Sequence, residues 1–177
     1  MFVLLFGVSN VGKTTVGKML GKRLNIPFFD IDDEIKKYYT ITLEEFVHIG
    51  TIRERDEKRG KLIGKILESE QQGVIAVSPM SYPEYFLRYL NQKEIVAIEL
   101  TDSAVNIFER LIFSDEEDNL YEDLEYKNLH KDYFVKDIEE DLVWYGQVYQ
   151  KIKNKYNINN QSPEEVADKI IQLYIGA

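Results

Sequence analysis

Gly7-Val8-Ser9-Asn10-Val11-Gly12-Lys13-Thr14 lies between the apolar run Phe2–Phe6 and a segment, Lys13 to Leu24, that reads as a helix. The octapeptide satisfies G-x-x-x-x-G-K-[ST] at every fixed position, and Thr15 follows it. Its setting is the one such a loop requires, with a buried strand entering it and a helix leaving it. The glycines let the backbone curl until successive amides converge on phosphate oxygens. The helix start adds unpaired N–H groups and the positive end of a dipole. Lys13 is placed to reach the β- and γ-phosphates, and the Thr14 hydroxyl to ligate Mg²⁺. The candidate nucleotide-binding residues are therefore Gly7, Asn10, Val11, Gly12, Lys13, Thr14 and Thr15, with ATP and Mg²⁺ as the expected cofactors.

Outward from the loop, strands and helices alternate. A continuous apolar run such as Phe2–Phe6 is expected of a strand buried on both faces of a parallel sheet. Further short strands are expected over Ile26–Phe29, Gly73–Ser78, Glu94–Leu100 and Tyr156–Ile158. Thr42 and Glu45 have capping-box spacing and open a helical stretch to about Glu70. A short helix is expected around Glu84–Leu90, and one capped by Asp102 that reaches Phe113. A long helix is expected over Tyr133–Lys155, with Ile138, Leu142, Tyr145, Val148 and Ile152 in period and Trp144 as a packing anchor. Ser162, Pro163 and Glu165 supply a cap, a first-turn proline and a reciprocal acid for the last helix. The acidic stretch Ser114–Asn128 has no clean strand period and reads as a mobile or partly helical insert. The pattern predicts an α/β fold: three layers, a mainly parallel five-stranded sheet, one domain over 1–177 and a lid or insert at 114–131.

Composition narrows the function classes. The 177 residues include 31 acidic and 22 basic side chains, a formal charge of −9, which disfavours nucleic-acid and anionic-membrane partners. There are no cysteines and only His48 and His130, far apart, so thiolate chemistry is excluded and a histidine zinc site is not expected. No window approaches the roughly 20 apolar residues of a membrane span, and the first strand is too short for a signal-peptide core. A cytoplasmic location is the expectation; the oligomeric state stays open.

The loop alone does not separate kinase from ATPase or GTPase. Asn91-Gln-Lys-Glu94 does not supply the Asn-Lys-x-Asp element of guanine-specific switches and precedes a strand rather than following one. Phe29-Asp30-Ile31-Asp32, 17 and 19 residues beyond Lys13 at its two acids, favours a kinase. In an extended segment the two carboxylates share a face. Asp30 can organise Mg²⁺ while Asp32 accepts a hydrogen bond from a substrate hydroxyl and takes its proton.

At these residues the chain resembles the shikimate kinase family of P-loop small-molecule kinases. The likeness comprises Gly7–Thr15, the Asp30-x-Asp32 pair, Ile52-Arg53-Glu54-Arg55-Asp56 and the element order through Ile171. It implies a nucleoside-monophosphate-kinase-like sheet and ATP-dependent phosphoryl transfer to a hydroxyl of a small metabolite. By this resemblance Asp30 sits near the metal and Asp32 contacts the acceptor as the base. Arg53, in a version of the family's Phe-Arg-x-x-Glu, becomes a carboxylate-binding candidate. Arg110 is placed like the arginine that packs on adenine.

Three departures bear on the acceptor. Ser78-Pro79-Met80 stands where the family has Gly-Gly-Gly. The segment from Ser114 through Leu129 contains no arginine, where the family's lid carries Arg-Pro-Leu-Leu. Asp141 occupies the position of an arginine four residues before a late tyrosine, here Tyr145. These replacements fit a neutral, hydroxylated, amine-bearing or nucleoside-like acceptor better than anionic shikimate. Tyr82, Tyr85, Tyr121, Tyr126 and Tyr145 are candidates to stack on it. Lys127, Lys131 and Lys136 are candidates to reach phosphate from the lid, against a solvated basic face. Two other functions stay open: a nucleotide-binding regulatory or assembly protein lacking efficient transfer, and a nucleoside or nucleotide kinase.

Overall fold

The computed structural model describes residues 1–176. The first half of the chain runs β1 (Phe2–Phe6), α1 (Lys13–Leu24), β2 (Phe28–Asp30), α2 (Ile31–Tyr39), α3 (Leu43–Val47), α4 (Ile52–Ser69) and β3 (Gly73–Ala76). It continues as α5 (Glu84–Leu87), β4 (Ile95–Thr101), α6 (Ala104–Glu109), β5 (Phe113–Ser114), β6 (Leu120–Tyr121), α7 (Leu124–Leu129) and α8 (Lys131–Val148). β7 (Asn154–Asn157), α9 (Pro163–Ile170) and a π-helical turn at Ile171–Ile175 complete it.

The main sheet has the order β2-β3-β1-β4-β7 with all pairs parallel, as the alternation of strands and helices predicts. β1 is its centre and all five of its residues are buried, which is why the sequence shows no polar alternation there. Phe2, Leu4 and Phe6 face a core completed by Ile31, Ile35, Phe46, Ile63 and Phe86 from α2 to α5. Val3 and Leu5 face the opposite core, with Val16 and Leu20 of α1 and Val166 and Ile170 of α9. The parallel register aligns Asp30 with Ala76, so the carboxyl ends of β1, β2 and β3 open on one edge.

Several element boundaries differ from the sequence expectation. The helical stretch from Thr42 is broken: Gly50 turns at φ +56°, and Thr51 with Glu54 forms a second capping box that starts α4. Asp102 does not cap α6; Ser103 does, accepting from the Asn106 amide. α8 stops at Val148, so Ile152 is buried beyond its end rather than on its face. The acidic insert is part hairpin, part helix, with β5 and β6 antiparallel before α7. Trp144 is no packing anchor, being 53% exposed on the outer side of α8.

Gly7 shows how tightly the first turn is built. Its φ is +140°, and a Cβ there would lie 2.5 Å from the Leu100 carbonyl oxygen and 3.0 Å from Val11 Cγ1. Backbone cannot yield as a flexible side chain does. Gly7→Ala is expected to lower unfolding free energy by about 3 kcal/mol. Urea denaturation checks it, and an unchanged midpoint would contradict this account.

Candidate active site

The loop leaves the carboxyl end of β1 and delivers Gly12 to the N-terminus of α1 at φ +113°. Asn10 also adopts a left-handed φ of +59°, while the Val11 side chain is fully buried beneath the loop. Val11 and Gly7 can therefore serve a ligand only through their backbone. Lys13 folds back over the loop, and its Nζ donates to the carbonyls of Gly7 at 2.9 Å and Val8 at 2.7 Å. Burial lowers its pKa to about 8, against the opposing pull of Asp32 and Asp30.

Asp30 ends β2 and caps α2, accepting from the Asp32 amide at 3.0 Å through one carboxylate oxygen. Its other oxygen accepts from the Thr14 hydroxyl at 2.6 Å. Asp32 thus lies in the first turn of a helix and not in an extended segment. Burial pushes the Asp30 carboxyl above its ordinary range; the Thr14 hydrogen bond works against this and the Asp32 charge reinforces it. Asp32 Oδ1 accepts from the Ser78 hydroxyl at 2.5 Å. A continuous hydrogen-bonded chain therefore runs from Thr14 through Asp30 and Asp32 to Ser78, from the phosphate loop to the turn after β3.

Two cavities meet along this chain. The larger, about 680 Å³, is lined by Ser9, Asn10, Gly12, Lys13, Thr14, Thr15, Asp30 and Arg110 among others. The smaller, about 360 Å³, lies between α3, α4 and the turn after β3, with Phe46, Val47, Ile52, Arg55, Arg59 and Tyr145 in its wall. Ser9, Asp32, Leu43, Ser78 and Pro79 line both. A group held over the loop and a molecule in the smaller cavity would face each other across Asp32.

Arg110 stands at the end of α6, its Nη2 2.7 Å from Asp102 Oδ2. Burial opposes ionisation of Asp102, but hydrogen bonds from Asn106, Arg110 and the Ser103 amide outweigh it and hold its carboxyl below the usual range. That pair fixes the arginine where a narrow cleft, walled also by Thr15, Gln161 and Pro163, adjoins the loop. Arg53 is placed differently from its sequence expectation. Its guanidinium pairs with Glu84 and lies over the Tyr82 ring, outside both cavities. Arg55 and Arg59, two and six residues on, line the smaller cavity instead.

The hairpin turn between β5 and β6 reaches across the larger cavity, where Asp118 Oδ2 accepts from the Leu43 amide at 2.8 Å. None of the three lysines considered for phosphate lines that cavity. Lys127 is buried and donates to the carbonyls of Glu109 and Leu111 at 3.0 Å each, fastening α7 to the end of α6. Lys131 lies near Glu109 and Lys136 near Glu140. Lys13 and Arg110 are the cations lining the larger cavity among the described residues.

Sequence reading marked Ser78 only as a departure from the family's Gly-Gly-Gly and missed that its hydroxyl donates to Asp32. It also left Asp56 without a role beyond its place in the arginine motif. Asp56 is 1% exposed, pairs with Arg59 at 2.8 Å and accepts the Ser81 and Tyr82 amides at 2.7 and 3.1 Å.

Comparison with known proteins gives the chain a family and its fold relatives. The sequence model of the family described as shikimate kinase matches residues 9–174. The shikimate kinase of Thermodesulfovibrio yellowstonii is 30% identical over 177 residues, covering 97% of this chain and 94% of that protein. The Flavobacterium psychrophilum shikimate kinase is 27% identical over 174 residues, with 97% of both chains covered. In fold, the shikimate kinase structure from Bacteroides thetaiotaomicron superposes with a TM-score of 0.77 at 20% identity, covering 98% of this chain and 97% of that one.

Proposed function

The chain belongs to the shikimate kinase family and is an ATP-dependent small-molecule kinase; from its cavities we propose that Asp32 is the base and that the acceptor hydroxyl binds in the smaller cavity. The carrying observation is that Asp32 lines both cavities while hydrogen-bonded chains tie it to the phosphate loop and to Ser78. In this reading the loop amides and Lys13 hold the phosphates over the larger cavity, and Arg110 borders the adenine ring. A hydroxyl oxygen of the acceptor forms a bond to the γ-phosphorus as the bond to the bridging oxygen breaks. ADP leaves, and the hydroxyl proton passes to Asp32. The Ser78 hydroxyl occupies Asp32 Oδ1 and leaves Oδ2 for that proton.

The donor set at Thr14 and Asp30 fits Mg²⁺: a hydroxyl and a carboxylate, both hard oxygen groups, lie in hydrogen-bond contact beside the phosphate loop. Thr14 and Asp30 would hold the ion, which supplies charge neutralisation at the β- and γ-phosphates. The hairpin and α7, roughly residues 114–131, act as a lid that excludes water, and the Asp118–Leu43 bond supports that role.

The test is product detection: ATP and Mg²⁺ with an acceptor panel of shikimate, methyl shikimate, myo-inositol, glucosamine and adenosine, read by phosphorus NMR. A phosphorylated acceptor is the expected result. Tight ATP binding with no product across the panel would instead describe a nucleotide-binding protein without transfer.

A further inference from the structure

The smaller cavity has two chemically different ends. Ser9, Asp32 and Ser78 line it where it meets the larger cavity, whereas Phe46, Arg55, Arg59 and Tyr145 line the smaller cavity alone. Oxygen acceptors therefore stand at the junction with the phosphate loop, and guanidinium groups stand away from it, on α4.

What those guanidiniums have left to donate decides what their end can hold. Arg55 gives Nη1 to the carbonyls of Ile49 and Gly50 at 3.2 and 3.0 Å, which braces it on the α3–α4 turn. Its Nε–Nη2 edge has no partner among the described residues. Arg59 gives Nη1 to Asp56 at 2.8 Å and lies over the Phe46 ring, 5.1 Å from the centroid. Its Nη2 is also without a partner and, unlike its Nε, is not enclosed. Asp56 is the brace for this arrangement: it takes Arg59 on Oδ1 and the Ser81 and Tyr82 amides on Oδ2. Its charge offsets one of the two lining arginines, so this end of the cavity keeps a net positive charge.

The two positions singled out in the sequence lie elsewhere. Arg53 is turned outward onto Glu84 and Tyr82. Asp141, one turn before Tyr145, does not line the cavity. Burial pushes the Tyr145 phenol up; Asp141 adds to that and Arg59 opposes it, so both charges act on the same ring.

We infer that Arg55 and Arg59 together seat a carboxylate of the acceptor, Arg59 supplying from α4 the second guanidinium whose place on α8 is taken by Asp141. The inference rests on reading the smaller cavity as the acceptor's seat. The free Nε–Nη2 edge of Arg55 is the fork that holds a carboxylate by two parallel hydrogen bonds, and Arg59 Nη2 adds a donor beside it. A molecule anchored there extends its hydroxyl end toward Asp32. The expectation of a neutral acceptor counted the arginine missing from α8 but not the one that α4 provides.

Shikimate and methyl shikimate test this, because they differ in the charge of one group on the same ring. With ATP and Mg²⁺, kcat/KM for shikimate is expected to exceed that for the ester by about tenfold or more. Arg55→Met is expected to cut that ratio about tenfold, and Arg53→Met to leave it unchanged. Arg59→Lys keeps a cation for the buried Asp56 but loses the fork; KM for shikimate is expected to rise about fivefold, with kcat and the KM for the ester within roughly twofold. A ratio that neither Arg55→Met nor Arg59→Lys lowers overturns the inference. So does turnover of the ester or of the neutral acceptors that equals or exceeds that of shikimate in the unaltered protein, although phosphoryl transfer then stands. No transfer to any member of the panel overturns the reading of the cavity itself, and the carboxylate seat with it.

Discussion

Replacing Lys13 with methionine is expected to abolish ATP binding at micromolar nucleotide and transfer by at least about a thousandfold, while making the nucleotide-free protein slightly more stable at neutral pH. Both effects have one cause. The ammonium is buried, and burial lowers its pKa from 10.5 to about 8. Below pH 8 the folded and unfolded chains both carry this proton, and the folded chain bears the whole cost of the buried charge, about 3 kcal/mol. Methionine removes that cost but deprives the Gly7 and Val8 carbonyls of a donor, returning about 2 kcal/mol. A net gain of about 1 kcal/mol at pH 7 remains. Between pH 8 and 10.5 the unfolded wild-type chain binds more protons than the folded one, so wild-type stability rises with pH through that window. The variant lacks this rise, so the order of stability should reverse by about pH 10. Denaturation midpoints of the two proteins at pH 7 and 10 check the crossing; parallel pH profiles would refute the assignment of a buried charge. That cost accompanies a cation held out of water before phosphate arrives.

Asp32→Asn is the second large effect. It keeps the shape of the carboxylate and removes its basicity, so kcat for the acceptor found in the panel is expected to fall roughly 10²- to 10⁴-fold. ATP affinity should stay within about threefold, because the Thr14–Asp30 contact and the loop amides are untouched. Ser78→Ala is expected to be milder, about tenfold in kcat, since it loosens one oxygen of the base and leaves the base in place. Single-turnover transfer with saturating ATP measures both. Transfer by Asp32→Asn at the wild-type rate would remove Asp32 from the proton's path.

The parts legible in the sequence are those decided by neighbours along the chain. β1, the loop and α1 follow from an apolar run, two glycines and a lysine within thirteen residues, and the cap of α9 from Ser162, Pro163 and Glu165. The Asp30 and Asp32 pair was legible for the same reason, although Asp30 spends its carboxylate on capping α2. The break before α4 was written in Thr51 and Glu54, a repeat of the Thr42 and Glu45 spacing, but the surrounding helix formers hid it. What stayed hidden depends on partners distant in sequence. Arg53 turns outward because Glu84, Tyr82 and Tyr85 lie some thirty residues later at the mouth of α5. Lys127, exposed in any local reading of an acidic insert, is drawn inward by the unpaired carbonyls at the end of α6. Ser78 meets Asp32 across 46 positions.

The chain of hydrogen bonds from Thr14 to Ser78 also bears on how the two substrates influence each other. Immobilising one end restricts the rotamers of Asp30 and Asp32 before anything touches the other end. The second ligand then finds those side chains already ordered and gives up less entropy in settling on them. The expectation is that ATP and its acceptor each tighten the other's grip, by linkage by the same factor in either order of arrival, which titration calorimetry of one in the absence and presence of the other checks.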